Sequence, residues 1–177
     1  ADASPALVEA VLTEGAKLAD TVMAPLNAVG DKEGCRRNPD GSVTTPTGFK
    51  AAYDAYAQGG WMGLAVPEAF GGQGLPHTLN TAVQEFASGA NLALGMEQGL
   101  SEGAMAAIRV SGTEEQKWTY IPKRVEGAWT GTMNLTEPHC GTDLGLLKTK
   151  AVPNGDGSYS LTGTKIFISA GEHDMAE

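Results

Sequence analysis

Apolar residues recur at helical spacing along the first part of the chain. Leu7, Val8, Val11, Leu12, Leu18, Val22, Met23 and Leu26 form one stripe, opened by Ser4 as an N-cap and Pro5 in the first turn. The stripe fails over residues 28–46, where GDKEGCRRNPDGS is charged and rich in turn formers, so the pattern predicts a surface loop. A short helix is expected over about 47–58, with Phe49, Tyr53 and Tyr56 on one face and Gly59-Gly60 at its end. The next stretch, WMGLAVPEAFGGQGLP, carries too much glycine and proline for regular helix. Helix is expected to resume from Pro76 to about Leu94, and again over about 97–110. Thr113 and Gln116 then form a capping-box pair that starts a helix ending near Gly127.

The period then changes from helical to two. Trp129, Gly131, Met133 and Leu135 alternate with polar partners, as do residues 147–151. Asn154-Gly155-Asp156-Gly157 marks a hairpin turn, with Tyr159 and Leu161 alternating after it. Gly163-Thr164 marks another turn, and KIFIS (165–169) reads as a short buried strand. The pattern therefore predicts an α+β fold: an all-α domain over 1–127, then the first antiparallel strands of a second domain over 128–177. So few strands leave an open edge, and the second domain is expected to be incomplete within this sequence.

Composition narrows the function classes. Of 177 residues, 41% are apolar, enough to bury a core, and the formal net charge of −9 comes with no basic cluster. That balance disfavours nucleic acid and an anionic membrane surface as partners. No apolar run is long enough to span a bilayer, and the first residues lack a basic region of the signal-peptide kind. Cys35 and Cys140 lie far apart with no metal-ligand spacing, so a reducing, cytoplasmic setting is expected.

Most candidate chemistry fails on spacing. Gly71-Gly72-Gln73-Gly74-Leu75-Pro76 lacks the third glycine of a dinucleotide loop, and Pro76 removes a backbone donor, so a tight interhelix turn is the better reading. His139, Cys140, Asp143, Glu172, His173 and Asp174 match no familiar ligand pattern, and no metal is assigned. Cys140 has no nameable base partner as a nucleophile, and NGDGS (154–158) lacks the spaced carboxylates of a calcium loop. MNLTEP (133–138) is different. Its Thr136 hydroxyl lies at a strand end beside a glycine-permitted turn, and Phe167-Ile168-Ser169 offers a second strand end with an aromatic face and a hydroxyl. Two such ends suit a flavin, with one face of its ring packed and its edge hydrogen-bonded. Hydroxyls at strand ends are ordinarily just exposed and a Phe ordinarily core, so residue types by themselves favour the plain reading.

A family resemblance changes that balance. LTEPHCGTD (135–143) closely resembles the LTEPxxGSD-type signature of acyl-CoA dehydrogenases. GLAVPEAFGGQGLP, SGTEEQKWTYIPKRVEGAWTGTMNLTEP and TGTKIFISAG resemble further segments of that family, in the same order and spacing across most of 45–175. MNLTEP, KIFISAGEHD and the long lead-in VLTEGAKLADTVMAPLN look most like the branch that includes 3-methylmercaptopropionyl-CoA dehydrogenases. The resemblance implies a helical domain, a β-barrel-like middle domain and a C-terminal four-helix bundle. It implies FAD and an acyl-CoA thioester, whose α proton goes to a carboxylate and β hydride to the flavin, leaving a trans-2-enoyl-CoA.

By position, Met133, Leu135 and Thr136 would meet the flavin ring edge. Gly141 and Thr142 would lie near the ribityl and pyrophosphate part, with Thr142 also bordering the acyl-CoA. Phe167, Ile168 and Ser169 would pack on the ring and hydrogen-bond near its reactive nitrogen. Thr142 and Ser169 keep the hydroxyls of the family's Ser and Thr, whereas Phe167 replaces a common Trp and His139-Cys140 replaces a usual small pair. No residue of this chain takes the catalytic Glu's role, which belongs to the bundle. The 177 residues alone are thus expected to be inactive and to hold FAD weakly or not at all. The implied partners are an acyl-CoA, an electron-transfer flavoprotein and, for the whole protein, further copies of itself. Two other classes remain open: a non-enzymatic helical module that binds partners through its sheet edge, and an acyl-CoA or nitroalkane-type oxidase on the same fold.

Overall fold

The computed structural model describes residues 3–177. Helix α1 spans Pro5–Leu18, with the Ser4 hydroxyl accepting from the Leu7 amide at 3.2 Å. A π-helical turn, Ala19–Met23, separates it from α2, Ala24–Glu33. Pro25 explains the wide turn: its ring would press on the carbonyl four residues earlier in a continuous α-helix and it brings no amide hydrogen. Helix α2 thus covers residues expected to be loop. Gly30 permits this, because a Cβ there would come within 2.6 Å of the Phe49 ring.

The remainder of that expected loop is a hairpin, β1 (Arg36–Arg37) against β2 (Val43–Thr44), antiparallel. Its turn, Asn-Pro-Asp-Gly-Ser, matches the Asn-Gly-Asp-Gly-Ser turn that joins β3 (Lys150–Pro153) to β4 (Tyr159–Thr162). In the first, Asp40 Oδ1 accepts from the Ser42 amide (3.0 Å) and hydroxyl (2.7 Å), and Asn38 Nδ2 donates to Ser42 Oγ (3.0 Å). Asp156, Ser158 and Asn154 repeat these contacts at 2.9, 2.6 and 3.0 Å. Gly41 and Gly157 take φ of 94° and 91°, which a side chain would resist.

Helix α3, Phe49–Gln58, buries Phe49, Ala52, Tyr53 and Tyr56. The glycine-rich stretch follows as two single 3₁₀ turns, Trp61–Gly63 and Glu68–Phe70. The amides of Gln73, Gly74 and Leu75 donate to Gly63, Val66 and Leu64 at 2.9, 2.9 and 2.8 Å, so they are spent on the turn rather than offered to an anion. Gly72 has no room for a side chain, since its Cβ would fall 2.1 Å from the Val66 carbonyl oxygen.

Helix α4 spans His77–Ala90 and α5 spans Leu92–Ser111. Their break falls at Asn91, earlier than the apolar pattern suggests, because Asn91 is itself the N-cap. Its Oδ1 accepts from the Leu94 amide at 3.2 Å while Nδ2 donates to the Met23 carbonyl at 3.3 Å. Helix α6, Glu114–Val125, opens on the expected capping box. Met23, Tyr53, Tyr56, Met62 and Leu94 form the main core, joined by Met175 from near the end of the chain. Val66, Met105, Ile121 and Val125 form a second cluster. No helix among the described residues is long and apolar enough to cross a membrane.

Two strand expectations are corrected. Residues 129–135 form no ladder, because Gly131 lies against α5: its amide donates to Ser101 Oγ at 2.9 Å, and a Cβ would come within 2.6 Å of that of Ala104. KIFIS is not a buried strand either. Phe167 (φ 55°) and Ala170 (φ 51°) break the pleat, and Phe167 is 87% exposed. Asn91→Ala should lower stability by about 1–3 kcal/mol, from one lost cap and one buried carbonyl left without its donor. Urea denaturation checks this, with Asn91→Ser, which keeps an uncharged cap oxygen, losing less.

Candidate functional site

Chain segments from both predicted strand ends meet around Glu137, which is 3% exposed. Its Oε2 accepts from the Lys148 amide at 2.8 Å. Its Oε1 accepts from the Thr149 amide at 3.0 Å and from Lys165 Nζ at 2.9 Å. Lys165 Nζ also donates to the Leu135 carbonyl at 3.0 Å, and the Ile166 amide donates to the Thr136 carbonyl at 3.0 Å. One carboxylate thus fastens residues 135–137, 148–149 and 165–166 together. The Thr149 side chain, the Lys148 amide and Lys165 hold the Glu137 carboxyl well below the usual carboxylate range. The pattern of the sequence suggests only a stop at Glu137-Pro138; its partners lie at least eleven residues away and could not be read locally.

The loop between is closed by short bonds. Glu137 and Cys140 exchange amide–carbonyl bonds of 2.8 and 3.1 Å, and His139 Nε2 lies 2.9 Å from the Leu146 carbonyl. That carbonyl can only accept, so Nε2 carries the proton. Glu137, His139 and Cys140 do bring potential ligand atoms within 4.8 Å of one another, which their spacing did not suggest. Glu137 already accepts two backbone amides and the Lys165 ammonium, so a cation there would compete with the Lys165 charge.

The residues singled out from the sequence fall into two neighbouring groups. Thr136 and Gly141 face each other, a Cβ at Gly141 lying 3.6 Å from Thr136 Cγ2. Met133 is 58% exposed, Leu135 is half-buried, and Thr142 is exposed on the loop. Ile168 and Ser169 instead line a cleft of about 380 Å³ against α5, shared with Met96 and Leu100. The Thr132 hydroxyl bridges the groups by donating to the Ser169 carbonyl. Phe167 projects outward between them. The arrangement presents two large exposed apolar side chains, Met133 and Phe167, on segments tied backbone to backbone.

Comparison with known proteins gives the chain a class. The profile described as "Acyl-CoA dehydrogenase, N-terminal domain" matches residues 10–128, and the chain belongs to the acyl-CoA dehydrogenase family. Among its relatives, the 3-methylmercaptopropionyl-CoA dehydrogenase of Ruegeria pomeroyi is 42% identical over 168 residues, 95% of this chain and 28% of that protein. The butyryl-CoA dehydrogenase of Megasphaera elsdenii superposes with a TM-score of 0.76 at 25% identity, over 91% of this chain and 40% of that one. A chain from the structure of the electron transferring flavoprotein of Acidaminococcus fermentans superposes with a TM-score of 0.77 at 30% identity, covering 91% and 39%. This chain therefore spans under a third of the length of the Ruegeria pomeroyi enzyme.

The Glu137 clamp makes a pH prediction. Its carboxyl titrates lower when folded than the ordinary value of 4.5, so its stabilisation is fully present above that value and is lost as pH falls from there toward the folded one. After correction for intrinsic rates, protection of the Lys148 and Thr149 amides in hydrogen exchange should hold above about pH 5 and fall below it. Glu137→Gln should weaken that protection about tenfold at neutral pH and flatten its pH dependence.

Proposed function

We propose that this chain is part of an FAD-dependent acyl-CoA dehydrogenase, one that oxidises an acyl-CoA thioester to the trans-2-enoyl-CoA. The observation that carries the reading is the joining of the two segments, Thr136 to Ile166 and Thr132 to Ser169, beside exposed Met133 and Phe167. A planar ring laid on those side chains would remove apolar surface from water and find hydroxyls and backbone groups at its edge. FAD, when bound, would accept the β hydride of the substrate.

In this reading Met133, Leu135 and Thr136 hold the ring edge, and Phe167, Ile168 and Ser169 hold its face. Gly141 lets the loop come near the ribityl chain, with Thr142 between flavin and acyl-CoA. The hydroxyls of Thr136 and Ser169 orient the ring, and the apolar side chains exclude water from it. The helical domain, 1–127, supplies the α5 wall, and 128–177 belongs to the flavin-bearing middle domain. None of these residues is the base that takes the α proton. Membership of the acyl-CoA dehydrogenase family supports an acyl-CoA as substrate, an electron-transfer flavoprotein as acceptor and a homo-oligomeric whole protein.

Thr136→Val tests the reading in the full-length protein. FAD binding should weaken roughly 3- to 10-fold, the effect of one lost hydrogen bond, with a shifted flavin absorption band. Unchanged FAD content and spectrum would remove Thr136 from the site.

A further inference from the structure

The His173 ring joins separate parts of the fold. Its Nδ1 lies 3.3 Å from the Met175 amide, which can only donate, so Nδ1 accepts. The proton of the neutral ring therefore sits on Nε2, 3.2 Å from the Thr130 hydroxyl oxygen. That oxygen accepts from Nε2 and sends its own hydrogen to the Glu177 carbonyl at 3.4 Å. Met175 is 6% exposed, with its side chain in the main core, and Lys50 Nζ donates to its carbonyl at 2.8 Å. Beside it, Asp174 Oδ1 accepts from the Thr45 amide (3.1 Å) and hydroxyl (2.6 Å). Residues 173–175 thus fasten the segment of Ile168 and Ser169 to Thr45, to α3 and to Thr130.

Both ring bonds need neutral His173 in this one tautomer. A second proton would go to Nδ1 and set a donor against the Met175 amide. We propose that His173 is a positioning residue controlled by its proton: neutral, it holds residues 168–176 on the helical domain, and protonated, it lets that segment open from the α5 cleft. Glu172 and Asp174 flank the ring, and Glu97 of α5 and Cys35 line the cleft with it. Beyond Met175, a groove holds Lys50 and Asp54 of α3, Lys123 of α6 and Glu177. Burial lowers the His173 pKa from the ordinary 6.5, with Asp174 and Glu172 pulling the other way. The fold therefore favours the neutral ring. Its stabilisation is present above 6.5 and is lost as pH falls from there toward the folded value. Resting on the flavin reading above, an open segment would also carry Phe167, Ile168 and Ser169 away from the face of the ring.

Hydrogen exchange of the full-length protein, read by mass spectrometry and corrected for intrinsic rates, tests this between about pH 7.5 and 5.5. Protection of peptides spanning 168–176 should fall about tenfold at the lower pH while that of α1 holds. His173→Asn puts Oδ1 near the place of Nδ1, so the Met175 amide keeps an acceptor that takes up no proton. In that variant the protection should stay within about twofold across the range. Glu97 is pushed up to about 7 by burial and titrates in the same window, so Glu97→Gln is the control and should keep the fall. A second measure needs no variant: the midpoint of the fall should match the titration of the His173 ring followed by NMR, within about one pH unit. Several results overturn the proposal: equal protection of the native segment at both pH values, a fall that persists in His173→Asn, a fall that vanishes in Glu97→Gln, a mismatched midpoint, or a loss that takes α1 with it. Because the readout needs no FAD, an unchanged Thr136→Val protein would sink the flavin reading and leave this result standing, and the reverse holds too.

Discussion

Glu137 is the contact on which the site-bearing half of the chain depends. Three segments separated by loops and a hairpin come together because one carboxylate accepts two amides and an ammonium. Around it there is little apolar burial to do the same work: β3 and β4 are exposed along their whole length. A small two-stranded ribbon is marginal by itself, so a charge-assisted polar clamp takes the place of a core. The Lys165 head reaches past Glu137 to the Leu135 carbonyl, fixing the residue just before Thr136. The hydroxyl and backbone groups proposed to meet a flavin edge thus sit on a segment held by charge.

The helical half is held differently and supports the first through α5. Gly131 lies flat on that helix, and Ser101 takes its amide, so the start of the 131–136 segment is set by packing. At the other end, the Thr45 amide and hydroxyl donate to Asp174 Oδ1, Lys50 Nζ donates to the Met175 carbonyl, and the Met175 side chain enters the main core. The segment carrying Ile168 and Ser169 is therefore gripped at both ends, by Lys165 and by Asp174–Met175. Between the grips, Phe167 and Ala170 adopt left-handed backbone, a conformation disfavoured for residues with side chains and retained where surroundings over-determine it.

The helices are legible in the sequence where local chemistry decides them. The Ser4 cap, the Thr113–Gln116 box and the Gly59-Gly60 stop each act within a few residues, and each lies where its chemistry predicts. Asn91 does not read as a cap, since the apolar pattern runs on across it and its second bond, to Met23, is 68 residues distant in sequence. One signal for the first hairpin lies in the sequence itself: NPDGS and NGDGS share four of five residues, so the hairpin reading of the second carries over to the first. The strand expected over 129–135 fails for a tertiary reason, since alternation says nothing about a helix that consumes the Gly131 amide. For the site, the motif positions are legible and their grouping is not. Thr136 and Gly141 face each other as spacing allows, but the place of Ile168 and Ser169 on α5 follows from a fold-back no local pattern records.

Glu97 and Glu137 show how the same side chain comes to serve different ends. Both are almost fully buried, at 4% and 3% exposure, so loss of water alone would raise both carboxyls. Glu137 is instead lowered, because the Thr149 side chain favours its charged form and two backbone amides and Lys165 donate to it. Glu97 has the Ser101 hydroxyl, which leaves burial dominant. The number of donors, rather than depth, decides the sign. A carboxylate held by two amides and an ammonium acts as a fastener. One that is buried with an oxygen unpartnered is relieved by holding its proton instead, and so burial raises Glu97.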